Sequence, residues 1–174
     1  MEYSYKFKMN KRSRRQTAMW IFTFALLIAG LYIFNDGSFY VSVWFMSLAI
    51  CLFVLFLMSI PKSLKVNEQF IDIHCVVELT RIPISNIVEV RPIDNKQLKW
   101  ALPLAGSFGF GGYFGYYFNL RNGSIFKMYA RQWGDFVMIT DVYEDVYVIN
   151  CKDSENLIDF IKLMSSINQN QVSE

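Results

Sequence analysis

The 174-residue chain predicts a mainly β domain, an open barrel or bent antiparallel sheet capped by a C-terminal helix, preceded by a transmembrane α-helical hairpin. Three observations predict it. Two uncharged apolar runs, Thr17 to Phe34 and Phe39 to Ile60, stand back to back. From Lys62 the pattern changes to short runs of β-branched and aromatic residues broken by turn formers, the mark of strands. The last run is followed by Leu157, Phe160, Ile161 and Met164, whose spacings of three and four give a helix one buried face.

The hairpin comes first in the chain. A helix rising about 1.5 Å per residue crosses a hydrocarbon core of about 30 Å in roughly 20 residues, and both runs approach or reach that length. The second run carries thirteen Leu, Ile, Phe or Val side chains. At roughly −0.3 to −0.6 kcal/mol each, they bound its insertion at about −4 to −8 kcal/mol. Only Asn35-Asp36-Gly37-Ser38 separates the runs. Lys6, Lys8, Lys11, Arg12, Arg14 and Arg15 precede the first run, Lys62 and Lys65 follow the second, and the turn between has no cation. Positive charge near span ends stays on the cytoplasmic side, so both termini are expected to face the cytoplasm from the inner membrane. Trp20 falls near the inner end, and Tyr32, Tyr40 and Trp44 toward the outer end, where amphipathic rings favour the headgroup layer. A cleaved signal peptide fits less well, because the apolar stretch is long and a second follows.

The expected organisation is a basic arm over 1–16, spans over 17–34 and 39–60, a β domain over 61–167 and a polar tail over 168–174. The domain's strands are expected at Ser63 to Asn67, Phe70 to Val76, Glu78 to Ile82, Ile87 to Arg91, Phe114 to Leu120, Ser124 to Ala130, Phe136 to Thr140 and Val146 to Asn150. Asn122-Gly123 accepts the positive φ of a tight hairpin turn, and Tyr143-Glu144-Asp145 rounds a second. Asp153 or Ser154 caps the final helix.

The run Gly106-Ser107-Phe108-Gly109-Phe110-Gly111-Gly112-Tyr113-Phe114-Gly115-Tyr116-Tyr117-Phe118, continued by Lys127-Met128-Tyr129-Ala130, resembles the bacterial pleckstrin homology-like (PH-like) domains that follow a two-span hairpin. The resemblance implies a PH-like fold at the bacterial inner membrane. It supplies no catalytic residue.

No charge occurs between Lys99 and Arg121, and five glycines stand among the aromatic rings from Gly106 through Phe118. In an extended chain Phe108, Phe110, Phe114, Tyr116 and Phe118 share one face, and Gly109, Gly111, Tyr113, Gly115 and Tyr117 the other. Two readings stay open. One is a core strand whose glycines allow a bend or bulge as the sheet closes. The other is a loop from Trp100 to Gly112 set against the bilayer or a partner, with Trp100, Leu102, Leu104, Phe108 and Phe110 as contacts. Pro103 and the glycines disfavour a third span. Lys11, Arg12, Arg14 and Arg15 are the candidates for contact with anionic lipid, although a topology signal alone accounts for them too.

Catalytic and metal-binding signatures are lacking. Phe114 takes the place of the third glycine of a dinucleotide fingerprint, and no Walker lysine follows. His74 and Cys75 point to opposite faces of a strand and cannot share a metal. Asp141, Glu144 and Asp145 lack the spacing of a calcium loop and read as a solvated hairpin tip. Cys51, Cys75 and Cys151 imply no disulfide framework. From Pro61 onward eleven cations face thirteen carboxylates, which argues against nucleic acid as a partner. The expectation is a non-enzymatic binding or scaffold module with no cofactor. Its partners would be the lipid bilayer and either another membrane protein or anionic lipid. The alternatives are a membrane-surface enzyme acting on lipid and a small accessory subunit of a membrane complex.

Overall fold

Tyr3, Tyr5 and Phe7 alternate with Ser4, Lys6 and Lys8, a period of two that suits a half-buried strand. They form β1 (Tyr3–Lys6), within the stretch expected to be a basic arm, and β1 pairs antiparallel with β2 (Pro61–Val66), Tyr3 lying opposite Val66. The computed structural model describes residues 3–34 and 39–172, without the side chains of 31–34, 39–42, 55, 56 and 166–172. The Asn35 to Ser38 turn and the rings of Tyr32 and Tyr40 therefore lie outside the described residues.

Between β1 and β2 run α1 (Lys11–Phe34) and α2 (Phe39–Met58). Asn10 caps α1, its carboxamide oxygen accepting the Ser13 N–H at 2.8 Å, so the helix starts six residues before the apolar run and carries the arm's last four cations. Phe24 and Phe53 stack across the pair with centroids 6.1 Å apart. Among the described residues no helix is long and apolar enough to cross a membrane. The described side chains of α2 run unbroken only from Val43 to Val54, and those of α1 open on Lys11, Arg12, Arg14 and Arg15. The spanning hairpin expected from sequence is thus seen as two helices over the same runs, without a demonstrated crossing.

β2 continues through β3 (Phe70–Cys75) and β4 (Leu79–Pro83) into a four-stranded meander, β1-β2-β3-β4. A 3-10 turn, Ile84–Asn86, leads to the second sheet. Its strands are β5 (Ile87–Ile93), β6 (Ala101–Phe108), β7 (Tyr113–Asn119), β8 (Ile125–Ala130), β9 (Phe136–Asp141) and β10 (Val146–Asn150), in the order β5-β9-β10-β8-β7-β6. Each of the eight expected strands is present, while β1 and β6 were not anticipated. One pair departs from the expected antiparallel succession. β10 inserts between β9 and β8 and runs parallel to β8, Tyr147 lying opposite Lys127. The last helix, α3 (Ser154–Val172), runs on into the stretch expected to form the polar tail, as far as Val172.

The second sheet buries apolar side chains on both faces. On one, Phe126, Met128, Phe136 and Val148 pack with Tyr113, Tyr117 and Leu98. On the other, Tyr129, Val137, Ile139 and Ile149 meet Leu64, Ile71 and Ile73 of the first sheet and Leu157, Ile158, Ile161 and Met164 of α3. Each fully buried side chain of this kind stabilises the fold by about 1.5–3 kcal/mol. The two-sided burial includes β7, where Phe114 on the bulky face and Tyr113 and Tyr117 on the glycine-bearing face are all core residues, while Tyr116 is exposed.

β6 and β7 cross closely at Gly106 and Gly115, which lie opposite one another. A Cβ at Gly106 would stand 2.0 Å from the Phe114 carbonyl oxygen, and one at Gly115 would stand 2.2 Å from that of Ala105. Their φ angles, 144° and 104°, exclude most side chains as well. The register shifts between Pro103 and Ala105, a bulge on an edge strand that tolerates proline.

Candidate functional site

The turn joining β6 to β7 fastens the β domain to the first helix. Thr17, the first residue of the apolar part of α1, has its hydroxyl oxygen 2.9 Å from the Ser13 carbonyl and 3.2 Å from the Gly109 carbonyl, and accepts the Gly111 N–H at 3.0 Å. Tyr113 donates its hydroxyl to Gln16 Oε1 at 2.9 Å. A Cβ at Gly109 would meet that same Gln16 oxygen at 3.3 Å, and one at Gly111 would meet Ile60 Cδ1 at 3.0 Å. With φ of 96° and 67°, both positions favour glycine for conformation as well as space. The turn is held from behind by Ser107, whose hydroxyl donates to the Phe110 and Gly112 carbonyls, and Tyr117 in turn donates to the Ser107 carbonyl. Phe110, between the two glycines, packs on Phe53 of α2 with centroids 5.8 Å apart.

Charge gathers at this root. Lys11, Arg12, Arg14 and Arg15 are all exposed on the first turns of α1. Arg131, at the end of β8, is half-buried; its Nε donates to the Gly111 carbonyl at 3.4 Å and its Nη2 to Met9 Sδ at 3.1 Å. Burial lowers the pKa of that guanidinium. Burial also raises the Tyr113 phenol, against the opposing pull of the Arg12 charge and the Gln16 bond. The β3–β4 tip lies at the same end, Val77 N–H donating to the Met58 carbonyl at the close of α2, and it exposes Val76, Val77 and Leu79.

The five aromatic and apolar candidates do not form one surface. Phe110 is engaged with α2, and Phe108 joins an aromatic group with Tyr113 and Trp133 at centroid distances of 5.4 and 6.2 Å. Trp100 and Leu102 sit at the opposite end of β6, roughly 20 Å away by strand rise. Leu104 projects from the bulge. Leu102, Phe118 and Ile125 form one row across β6, β7 and β8, with Leu120 beside it through its N–H to the Trp100 carbonyl at 3.0 Å. Trp100, Leu102, Leu120 and Ile125 are each more than half exposed. Thr17, Gln16 and Arg131 escaped sequence reasoning as joint residues. The close spacing of Gly109 and Gly111 around Phe110 was the one local sign of a close approach there.

Several polar and ionisable side chains elsewhere in the domain are engaged in local structure. Asp141 is buried, and its Oδ1 accepts the N–H groups of Tyr143 and Asp145, each at 2.9 Å, so it rigidifies the β9–β10 turn. Arg81 pairs with Asp72 at 2.8 Å and Arg91 with Glu89 at 3.2 Å. Lys127 Nζ lies 4.9 Å from the Tyr116 ring centroid. Cys75 is buried, its thiol pushed up to about 12 by burial and by Glu78. Among the described residues no group of three His, Cys, Asp or Glu could hold a metal ion.

Two packed sheets closed by a C-terminal helix make a PH-like domain. Residues 62–164 match the family described as Bacterial PH domain, and the chain belongs to that family. β1, α1 and α2 lie outside the matched region. No curated protein and no solved structure matches the chain.

Proposed function

We propose that the chain is a membrane-anchored binding or scaffold module that presents its PH-like domain at the cytoplasmic face of the inner membrane, the α1–α2 pair serving as a spanning hairpin. The observation that carries this reading is the pairing of β1 with β2, because it holds the start of α1 and the end of α2 at one place. A helix pair tethered in this way can enter a bilayer only as a hairpin with both ends on one side, and cations at those ends favour the cytoplasmic side. The exposed surface of the helices supports it. Trp44 is 78% exposed, Phe22 65% and Phe45 57%, and leaving such surface in water forfeits about 25 cal/mol per Å² of apolar area. The root then lies at the headgroup layer, where Lys11, Arg12, Arg14, Arg15 and Arg131 meet lipid phosphate and Val76, Val77 and Phe108 meet the interface.

Fractionation of the full chain expressed in bacteria tests this. The protein is expected to remain with membranes through alkaline carbonate extraction, with tags at both termini protected from protease added to intact cells. Recovery in the soluble fraction without detergent would overturn the anchor, and digestion of either tag would overturn the topology.

A further inference from the structure

The end of the second sheet away from α1 and α2 carries two exposed surfaces of opposite charge. One is the apolar row of exposed Trp100, Leu102, Leu120 and Ile125 around half-buried Phe118, with Lys99 and Arg121 beside it in the chain. The whole segment from residue 95 to 134 contains Lys96, Lys99, Arg121, Lys127 and Arg131 and not one Asp or Glu. The other is the β9–β10 turn, where Val142 is 54% and Tyr143 75% exposed, followed by exposed Glu144 and Asp145. This turn is stiff, because the Asp141 carboxylate accepts two of its backbone N–H groups and Glu144 takes a φ of 64°. The parallel pairing of β10 with β8 brings both surfaces to the same end of the sheet.

A surface that is basic and apolar selects a partner that is acidic and apolar, and this chain itself displays such a partner. The mode is face-on. Pro103 and the bulge at Leu104 blunt the β6 edge against an added strand, leaving the side-chain row as the contact. We propose that two copies of the chain associate through this end, the Val142–Asp145 turn of each seated on the Trp100–Leu102–Phe118–Leu120–Ile125 face of the other, with Glu144 and Asp145 against Lys99 and Arg121. A two-fold axis exchanges turn and face, so one pair of complementary patches is used twice. The inference needs no membrane and stands independently of the anchoring above.

Charge reversal in the full chain tests it, with mass in detergent micelles measured by light scattering. The face variant Lys99→Glu/Arg121→Glu and the turn variant Glu144→Lys/Asp145→Lys each set like charges against one another in a self-pair. Each is expected to self-associate at least about tenfold more weakly than the parent chain. Mixed together, the two variants present opposite charges at both contacts and are expected to regain dimer mass. Three results would overturn the proposal: a monomeric parent chain at tens of micromolar, dimerisation indifferent to both variants, or a loss that mixing does not restore. Co-purification of a monomeric parent chain with a different acidic protein would do the same.

Discussion

The two ends of the β6–β7 hairpin are built from the same kinds of residue and meet opposite fates. At the root, Phe110 packs on Phe53, and the turn's backbone is bonded to Thr17 while Tyr113 bonds Gln16. At the far end, Trp100, Leu102, Leu120 and Ile125 have no such cover among the described residues. The difference teaches that an apolar, aromatic composition marks a surface requiring a partner without saying whether that partner is internal. Two glycines beside a helix turned one end into a joint, while the other end was left as a face.

The largest expected effect comes from severing the hairpin between its ends. Gly106→Ala or Gly115→Ala places a Cβ about 2 Å from a carbonyl oxygen of the neighbouring strand, at a φ that side chains rarely adopt. The combined overpacking and backbone strain should cost about 3 kcal/mol or more, read as a loss of thermal stability by circular dichroism. An unchanged melting temperature would mean that the strands cross less closely than described.

A sharper comparison sets one end against the other. Thr17→Val keeps the side-chain shape but leaves the Gly111 N–H without its acceptor, an expected loss of about 1–2 kcal/mol with faster amide exchange across residues 109–112. Leu102→Ser at the far end should cost less, about 0.2–1 kcal/mol, because Leu102 is half exposed and loses only its contacts along the cross-strand row. Equal losses at the two sites would erase the distinction between joint and face.

The smallest effect concerns the tip beside the root. With its pKa pushed up to about 12, Cys75 should resist alkylation at pH 8, where only about one thiol in ten thousand is ionised. A thiol whose folded pKa lies above its unfolded value stabilises the native state fully below the unfolded value, and the contribution fades as pH rises toward 12. Stability should therefore decline on the alkaline side, between about pH 9 and 12, with Tyr129, also pushed up to about 12 by burial, declining in the same direction. Rapid labelling of Cys75 at pH 8 would show that the tip opens.

Much of the domain was legible because its signals are local. Asn122-Gly123 forms the β7–β8 turn with Gly123 at a φ of 69°, and Leu157, Ile161 and Met164 bury the expected face of α3. β1 was masked by surrounding cations, although Tyr3, Tyr5 and Phe7 carried the period. β6 was hidden by Pro103, which an edge strand accepts. The inward turn of Tyr113 and Tyr117 could not be read from β7 alone, since a strand buried on both faces has no polar side to set its phase. The candidate surface divided for a similar reason. Phe110 finds an internal neighbour because Phe53 of α2 stands beside it, and Phe108 because Trp133 does, information that lies far from residues 100–112 in the chain.

The antiparallel ladder between β1 and β2 has a mechanical corollary. Two adjacent strands of one sheet lead directly into the two helices, so the head is gripped at two points instead of hanging from a single swivel. Tilt or separation of the helices would load neighbouring strands in shear, and the ladder must break before the head can turn freely. Assembly inherits the same linkage: Tyr3 cannot find Val66 until the whole intervening stretch has been made, which sets that closure among the late events of folding.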